Sequence, residues 1–141
     1  MGALAGIDRS RVGRGWAAGR VGCWPLNRRA ESLAEARAAI RSFLDASVSP
    51  GDEAAVLLVV SELVANAVQH GEEPIELRVA TSPGCIHIEV KDAGNRPPVM
   101  RKPTAHGQAG RGLVIVNGLG RWGYVSIEGG GKSVWCEVDV V

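Results

Sequence analysis

Cysteine is sparse in this chain and shows no pairing pattern. Cys23, Cys85 and Cys136 are odd in number and contain no C-x-x-C spacing. That argues against a disulfide framework or a zinc site and for reduced thiols in a cytosol. Long apolar runs are missing as well. Nothing approaches the ~18 consecutive apolar residues of a membrane span, and the opening MGALAGIDRSRVGRG has no apolar core of secretory length. No sign of charge dominates: 16 Lys and Arg stand against 15 Asp and Glu, a formal net charge of +1. No bulk attraction to nucleic acid, membrane or acidic substrate follows. The one unevenness is N-terminal, where Arg9, Arg11, Arg14, Arg20, Arg28 and Arg29 face only Asp8. A solvated chain end accounts for it without a nucleic-acid partner. With 141 residues, 45% hydrophobic and 22% charged, the expectation is a cytoplasmic protein with residues 1–19 as a flexible tail and 20–141 as one domain.

What is present divides by periodicity. RVGCWPLN reads as a short strand that Pro25 confines to a sheet edge. SLAEARAAIRSFLDAS opens with Ser32 and Glu35 at capping-box spacing, and Leu33, Ala36, Ile40, Phe43 and Leu44 recur with the helical period. SPGDEAAVLLVVSELVANAVQHG predicts a longer helix. Ser49 can cap it, Pro50 suits its first position, Asp52 and Glu53 occupy the first turn, and Gly71 supplies a left-handed stop. That helix is apolar nearly all round, so burial on most sides is expected. IELRVAT and CIHIEVKD alternate with period two around a tight SPG turn and predict an antiparallel pair. AGNRPPVMRKPTAHGQAG then has no period and suits a lid or binding loop. A short helix in RGLVIVNGLG and a closing antiparallel pair, WGYVSIEG and KSVWCEVDV around GGG, complete the order (β)-α-α-β-β-lid-α-β-β. This is an α+β sandwich, with helices layered on a mostly antiparallel sheet.

Three groups of residues can carry chemistry. Glu62, Asn66 and His70 recur every four positions in the apolar helix, and their tips fan over only about 80° of its circumference. Glu62 and Asn66 either occupy a narrow exposed face or serve a ligand, because an unpartnered buried carboxylate is costly. Carboxylate and amide oxygens are the hard donors that Mg²⁺ takes alongside water and phosphate. Asp92 closes a strand just before Ala93 and Gly94. It is either a turn residue bonding its own backbone or an acceptor for an exocyclic amine at the base of a pocket, with Gly94 admitting a flat ring. In GQAGRGLVIV, three glycines within six residues feed a helix start, a place where free N–H groups and the charge of Arg111 can hold an anion. Neither G-x-G-x-x-G after a strand nor G-x-x-x-x-G-K-[ST] is present, so Rossmann and P-loop readings fail. In this order the three groups describe a nucleoside triphosphate pocket.

ELVANAVQHG, VKDAGNRPP and GRGLVIVNGLGRWG, followed by GKSVWCEV, resemble the ATP-binding domain shared by gyrase-type ATPases, histidine kinases and the related chaperone and mismatch-repair ATPases. Within that group the chain is most similar to the short bacterial anti-sigma-factor serine/threonine kinases of actinobacteria, over residues of about 20 to 141. The resemblance implies a Bergerat-type fold, a mostly antiparallel mixed sheet covered on one face by about three helices, with an ATP lid. It implies ATP and Mg²⁺ as cofactors. Glu62 would be the general base toward a serine hydroxyl and Asn66 the Mg²⁺ holder. Asp92 would bind the adenine amine with Gly94 beside the ring, Gly110, Arg111 and Gly112 would hold phosphates, and Ser133 would stand near the adenine pocket. The sequence departs from the family pattern at Arg96, which replaces the second glycine of its first glycine box, and in the proline-rich lid.

The implied function is an anti-sigma-factor serine/threonine kinase that phosphorylates an antagonist protein. Its partners would be a sigma factor and a STAS-type anti-anti-sigma protein, with no direct nucleic acid and no membrane. The alternative is a non-catalytic ATP-binding regulator. A detached histidine-kinase-like ATPase is disfavoured because no phosphoacceptor helix pair is present. Trp16, Trp24, Trp122 and Trp135 read as core or sheet packing, and an exposed one would mark a homodimer or partner surface. His70 reads equally as a basic site position or as a helix-end histidine near the negative terminus.

Overall fold

The computed structural model describes residues 19–97 and 120–140. The order is β1 (Val21–Leu26), α1 (Glu31–Phe43), α2 (Pro50–His70), β2 (Ile75–Ser82), β3 (Cys85–Asp92), β4 (Arg121–Ser126) and β5 (Lys132–Asp139). The tail through residue 18, most of the lid, and the third helix expected from Gly110 lie outside the described residues, as do Trp16, Gly110, Arg111 and Gly112.

The strands form one sheet in the order β1-β2-β3-β5-β4, with every neighbouring pair antiparallel. β1 is an edge strand, as Pro25 requires. The β2–β3 hairpin closes with Ser82 opposite Cys85, and Gly84 takes the positive φ of 81° that the Pro83–Gly84 turn needs. The two helices lie on one face. Leu77, Val79, Ile86, Ile88, Val90, Val134 and Cys136 point toward them and bury with Ile40, Val56, Val60, Leu63 and Val64 in one core. Trp24 and Trp122 pack partly buried against it, and the Trp24 ring meets Phe43 edge-on. The Trp135 ring stacks on His87 at 5.8 Å between centroids.

The start of α2 follows its signals: the Ser49 hydroxyl accepts from the Asp52 N–H at 3.1 Å, with Pro50 in the first turn. Two local expectations are corrected. Ser32 does not cap α1. Ala30 takes the N-cap position without a side-chain bond, and the Ser32 hydroxyl, fully buried, donates instead to the Asn27 carbonyl at 2.6 Å. A tie to the preceding loop outcompetes the capping box, because hydroxyls bond whichever backbone group the fold brings near. Gly71 is not left-handed either; its φ of −89° and ψ of −176° are extended backbone. The C-terminal carbonyls of α2 are met by Arg28, whose guanidinium donates to Val68 O at 2.9 Å and Gln69 O at 3.4 Å.

Candidate functional site

α2 is not buried on all sides. α1 covers the flank carrying Ser61, whose hydroxyl accepts from Arg37 Nη1 at 2.6 Å and donates to Leu57 O. Glu62 and Asn66 lie roughly 100° and 140° around the helix from Ser61, on the flank that α1 leaves free, and both are half-buried. Leu58, one turn before Glu62, is exposed on the same side. α1 packs on β1 and α2 on β3 and β5. The free flank of α2 therefore looks over the half of the sheet that holds β5 and β4. Partial withdrawal from water pushes the Glu62 carboxyl above its ordinary value, with desolvation as the cause. His70 is exposed in the last turn.

The C-terminal end of α2 abuts Asp92, the last residue of β3. The Asp92 side chain is 1% exposed. Its Oδ1 accepts from the Gly94 N–H at 2.7 Å and, at 3.4 Å, from the Glu72 N–H. Glu72 O in turn accepts from the Ala93 N–H at 2.9 Å, which ties the exit of α2 to the exit of β3. The glycines here answer to crowding. A Cβ on Gly71 would stand 2.7 Å from Asp92 Cγ, and one on Gly94 would stand 2.9 Å from Asp92 Oδ1. The turn reading of Asp92 is met through Oδ1, and Oδ2 is left for something else.

That something includes a residue the sequence did not single out. Lys132 stands directly opposite Asp92 in the β3–β5 register, and its Nζ lies 2.9 Å from Oδ2 and 3.1 Å from Oδ1. The Lys132 side chain is 4% exposed. Gly131, at φ +92°, lets β5 begin against Asp92, since a Cβ there would fall 2.5 Å from Asp92 O. The Gly131 N–H donates to Asn95 Oδ1 at 3.0 Å, which fastens the first residues after Asp92 to the β4–β5 turn. Ser133, one residue on, projects to the other face of the sheet by strand alternation. It is fully buried there, and its hydroxyl has no hydrogen-bond partner among the described residues. The structure therefore joins Asp92, Gly94 and Lys132 at the end of α2, sets Glu62 and Asn66 on the flank leading to them, and keeps the Ser133 hydroxyl away from Asp92. The only sign of Lys132 in the sequence was its place after the glycine run, opposite the end of the preceding hairpin.

A model of the histidine kinase-like ATPase domain matches residues 26–137, most of the chain and every described residue of this site. The chain belongs to that family. It is accordingly an ATP-binding domain, and the α+β architecture is the family's. Its fold is similar to the crystal structure of the RsbU and RsbW domains of Rv1364c from Mycobacterium tuberculosis, with a TM-score of 0.66 and 20% identity. The similarity covers 86% of this chain and 32% of that one, so this chain spans about a third of the length of that two-domain chain. The NMR structure of the histidine kinase domain of the E. coli osmosensor EnvZ also matches, at 20% identity and a TM-score of 0.45, over 84% of this chain and 88% of that one. No curated protein matches in sequence.

The residues present fit a magnesium nucleotide. Asp92 offers a buried carboxylate oxygen that among the described residues meets Lys132 alone, a suitable acceptor for an amine. Asn66 and Glu62 offer hard oxygens on a flank that no described element covers, the donor set Mg²⁺ accepts when phosphate and water complete its shell.

Proposed function

We propose that this chain is a Mg²⁺-ATP-dependent serine/threonine protein kinase of the anti-sigma type, which phosphorylates a STAS-type antagonist protein and binds a sigma factor. The observation that carries this reading is Glu62: a half-buried carboxylate whose carboxyl is raised by desolvation, one turn before Asn66 on the flank of α2 that no described element covers. Its support is the family's ATP-binding domain, the motif resemblance, and a fold similar to a structure that includes an RsbW domain.

In this reading Asp92 accepts from the adenine amine, and Gly94 leaves room for the ring. Asn66 holds Mg²⁺, which when bound neutralises charge on the phosphate oxygens. Gly110, Arg111 and Gly112 hold the phosphates. The acceptor hydroxyl oxygen attacks the γ-phosphorus, the bond to the β–γ bridging oxygen breaks, and ADP leaves. The hydroxyl proton passes to Glu62. A base is more effective as its pKa approaches working pH, and the direction of the Glu62 shift is the favourable one.

A second reading, a regulator that binds ATP without transferring phosphate, draws on Arg96 at the second position of the glycine box and on Lys132 already engaging Asp92. The two separate in one experiment. The chain is incubated with labelled ATP, Mg²⁺ and a STAS-type protein encoded beside it. The kinase reading expects label on that protein, abolished by Glu62→Ala while ATP still binds. Retained ATP binding with no transfer to any such protein would establish the regulator instead.

A further inference from the structure

We infer that Lys132 is a base-reading residue, donating to the ring nitrogen beside the amine that Asp92 accepts. The inference rests on the nucleotide reading above and adds a specificity determinant to the same site. An ammonium has three protons and no acceptor. The two contacts of Lys132 Nζ, to Oδ2 at 2.9 Å and Oδ1 at 3.1 Å, use at most two of them. Among the described residues it meets no third partner, although the side chain is only 4% exposed. A buried donor without an acceptor is unfavourable, so the third proton needs a partner.

Asp92 is the mirror case. Oδ1 already receives Gly94 N–H, Glu72 N–H and Lys132. Among the described residues Oδ2 receives Lys132 alone, and a carboxylate oxygen has room for a second donor. Among the described residues the pair therefore has one acceptor position and one donor proton to spare, side by side, fixed by strand register and by the close approach at Gly131. The edge of adenine carries the complement, an amine donor next to the N1 acceptor. Two hydrogen bonds form from two groups already desolvated and already held. The ion pair need not break for the base to enter, because neither new contact uses a lone pair or proton the pair itself requires.

The test is equilibrium binding of ATP, 1-deaza-ATP and 7-deaza-ATP, each with Mg²⁺, to the full chain. Replacing N1 by carbon removes only the acceptor that Lys132 reads. Binding of 1-deaza-ATP is expected to fall roughly tenfold or more, the usual weight of a hydrogen bond to a charged group, with 7-deaza-ATP binding like ATP. In Lys132→Met the gap between ATP and 1-deaza-ATP closes. A purely structural lysine would weaken both nucleotides equally and leave their ratio unchanged. The wild-type comparison stands even if that variant does not fold. Equal binding of ATP and 1-deaza-ATP to the wild type overturns the inference and leaves the ATP site intact. Failure to bind any of the three at millimolar concentration overturns the nucleotide reading, and the inference with it.

Discussion

Lys132→Met isolates the energetics of the Asp92–Lys132 pair. The two side chains are 1% and 4% exposed, and their charged atoms approach to 2.9 Å. Methionine keeps most of the volume but no donor, so Asp92 is left as a buried carboxylate with the Gly94 N–H at 2.7 Å and a weaker Glu72 N–H at 3.4 Å. Breaking a buried pair from one side costs about 3–5 kcal/mol. The two backbone donors still partly solvate Asp92, so the lower end, about 3 kcal/mol, applies. Urea unfolding followed by tryptophan fluorescence measures it. With m near 2 kcal/mol per M, the midpoint falls by about 1.5 M at unchanged slope. The double variant Asp92→Leu/Lys132→Met, which removes both charges, recovers most of the loss, because an apolar replacement of a buried pair is often neutral or stabilising. A single variant within about 0.5 kcal/mol of wild type, the range of an ordinary surface substitution, would refute the claim that the pair is buried and coupled.

Four other perturbations follow from the structure. Because the Glu62 carboxyl is raised from its ordinary 4.5, the folded state favours the protonated form; the stability it contributes is present at low pH and lost as pH rises through the folded pKa. Glu62→Gln should therefore stabilise at pH 7 and lose that advantage toward pH 4 in thermal unfolding, while transferring no phosphate. A gain that grows on acidification would contradict the sign. Gly71→Ala should destabilise by about 1–3 kcal/mol, since its Cβ would press on Asp92 Cγ at 2.7 Å and Ala67 O at 2.6 Å. Gly51→Ala, with nothing within 4 Å, should be neutral or stabilising in the same denaturation assay. Burial pushes the Cys136 thiol up to about 12, so maleimide at pH 7.5 should label exposed Cys23 first and Cys136 only on unfolding, as peptide mass mapping would show.

The elements were legible where one signal dominated. Alternation in IELRVAT and CIHIEVKD fixed β2 and β3, and Ser49 with Pro50 fixed the start of α2, because these local preferences agree with the tertiary packing. Ser32 and Gly71 carried equally good local signals and were misread. Asn27 took the Ser32 hydroxyl, and the carboxylate of Asp92 accounts for the glycine at 71. The first cause lies in the loop five residues back, and the second spans 21 residues of sequence. Asp92 and Gly94 were read from a strand end meeting a glycine. Lys132 was not, because its role arises only from the β3–β5 register, a long-range pairing that no period in the chain announces. The same alternation that brings Lys132 to Asp92 turns Ser133 away.

The central claim is that Glu62, Asn66 and Asp92 serve one magnesium nucleotide. Calorimetric titration of ATP into the wild type and Asn66→Ala, each with Mg²⁺ and with EDTA, tests it most directly. The account predicts binding to the wild type that weakens when Mg²⁺ is removed, and in Asn66→Ala a weaker affinity that no longer responds to the metal. Wild-type binding indifferent to Mg²⁺, or an Asn66→Ala variant with undiminished affinity and undiminished metal response, would contradict it.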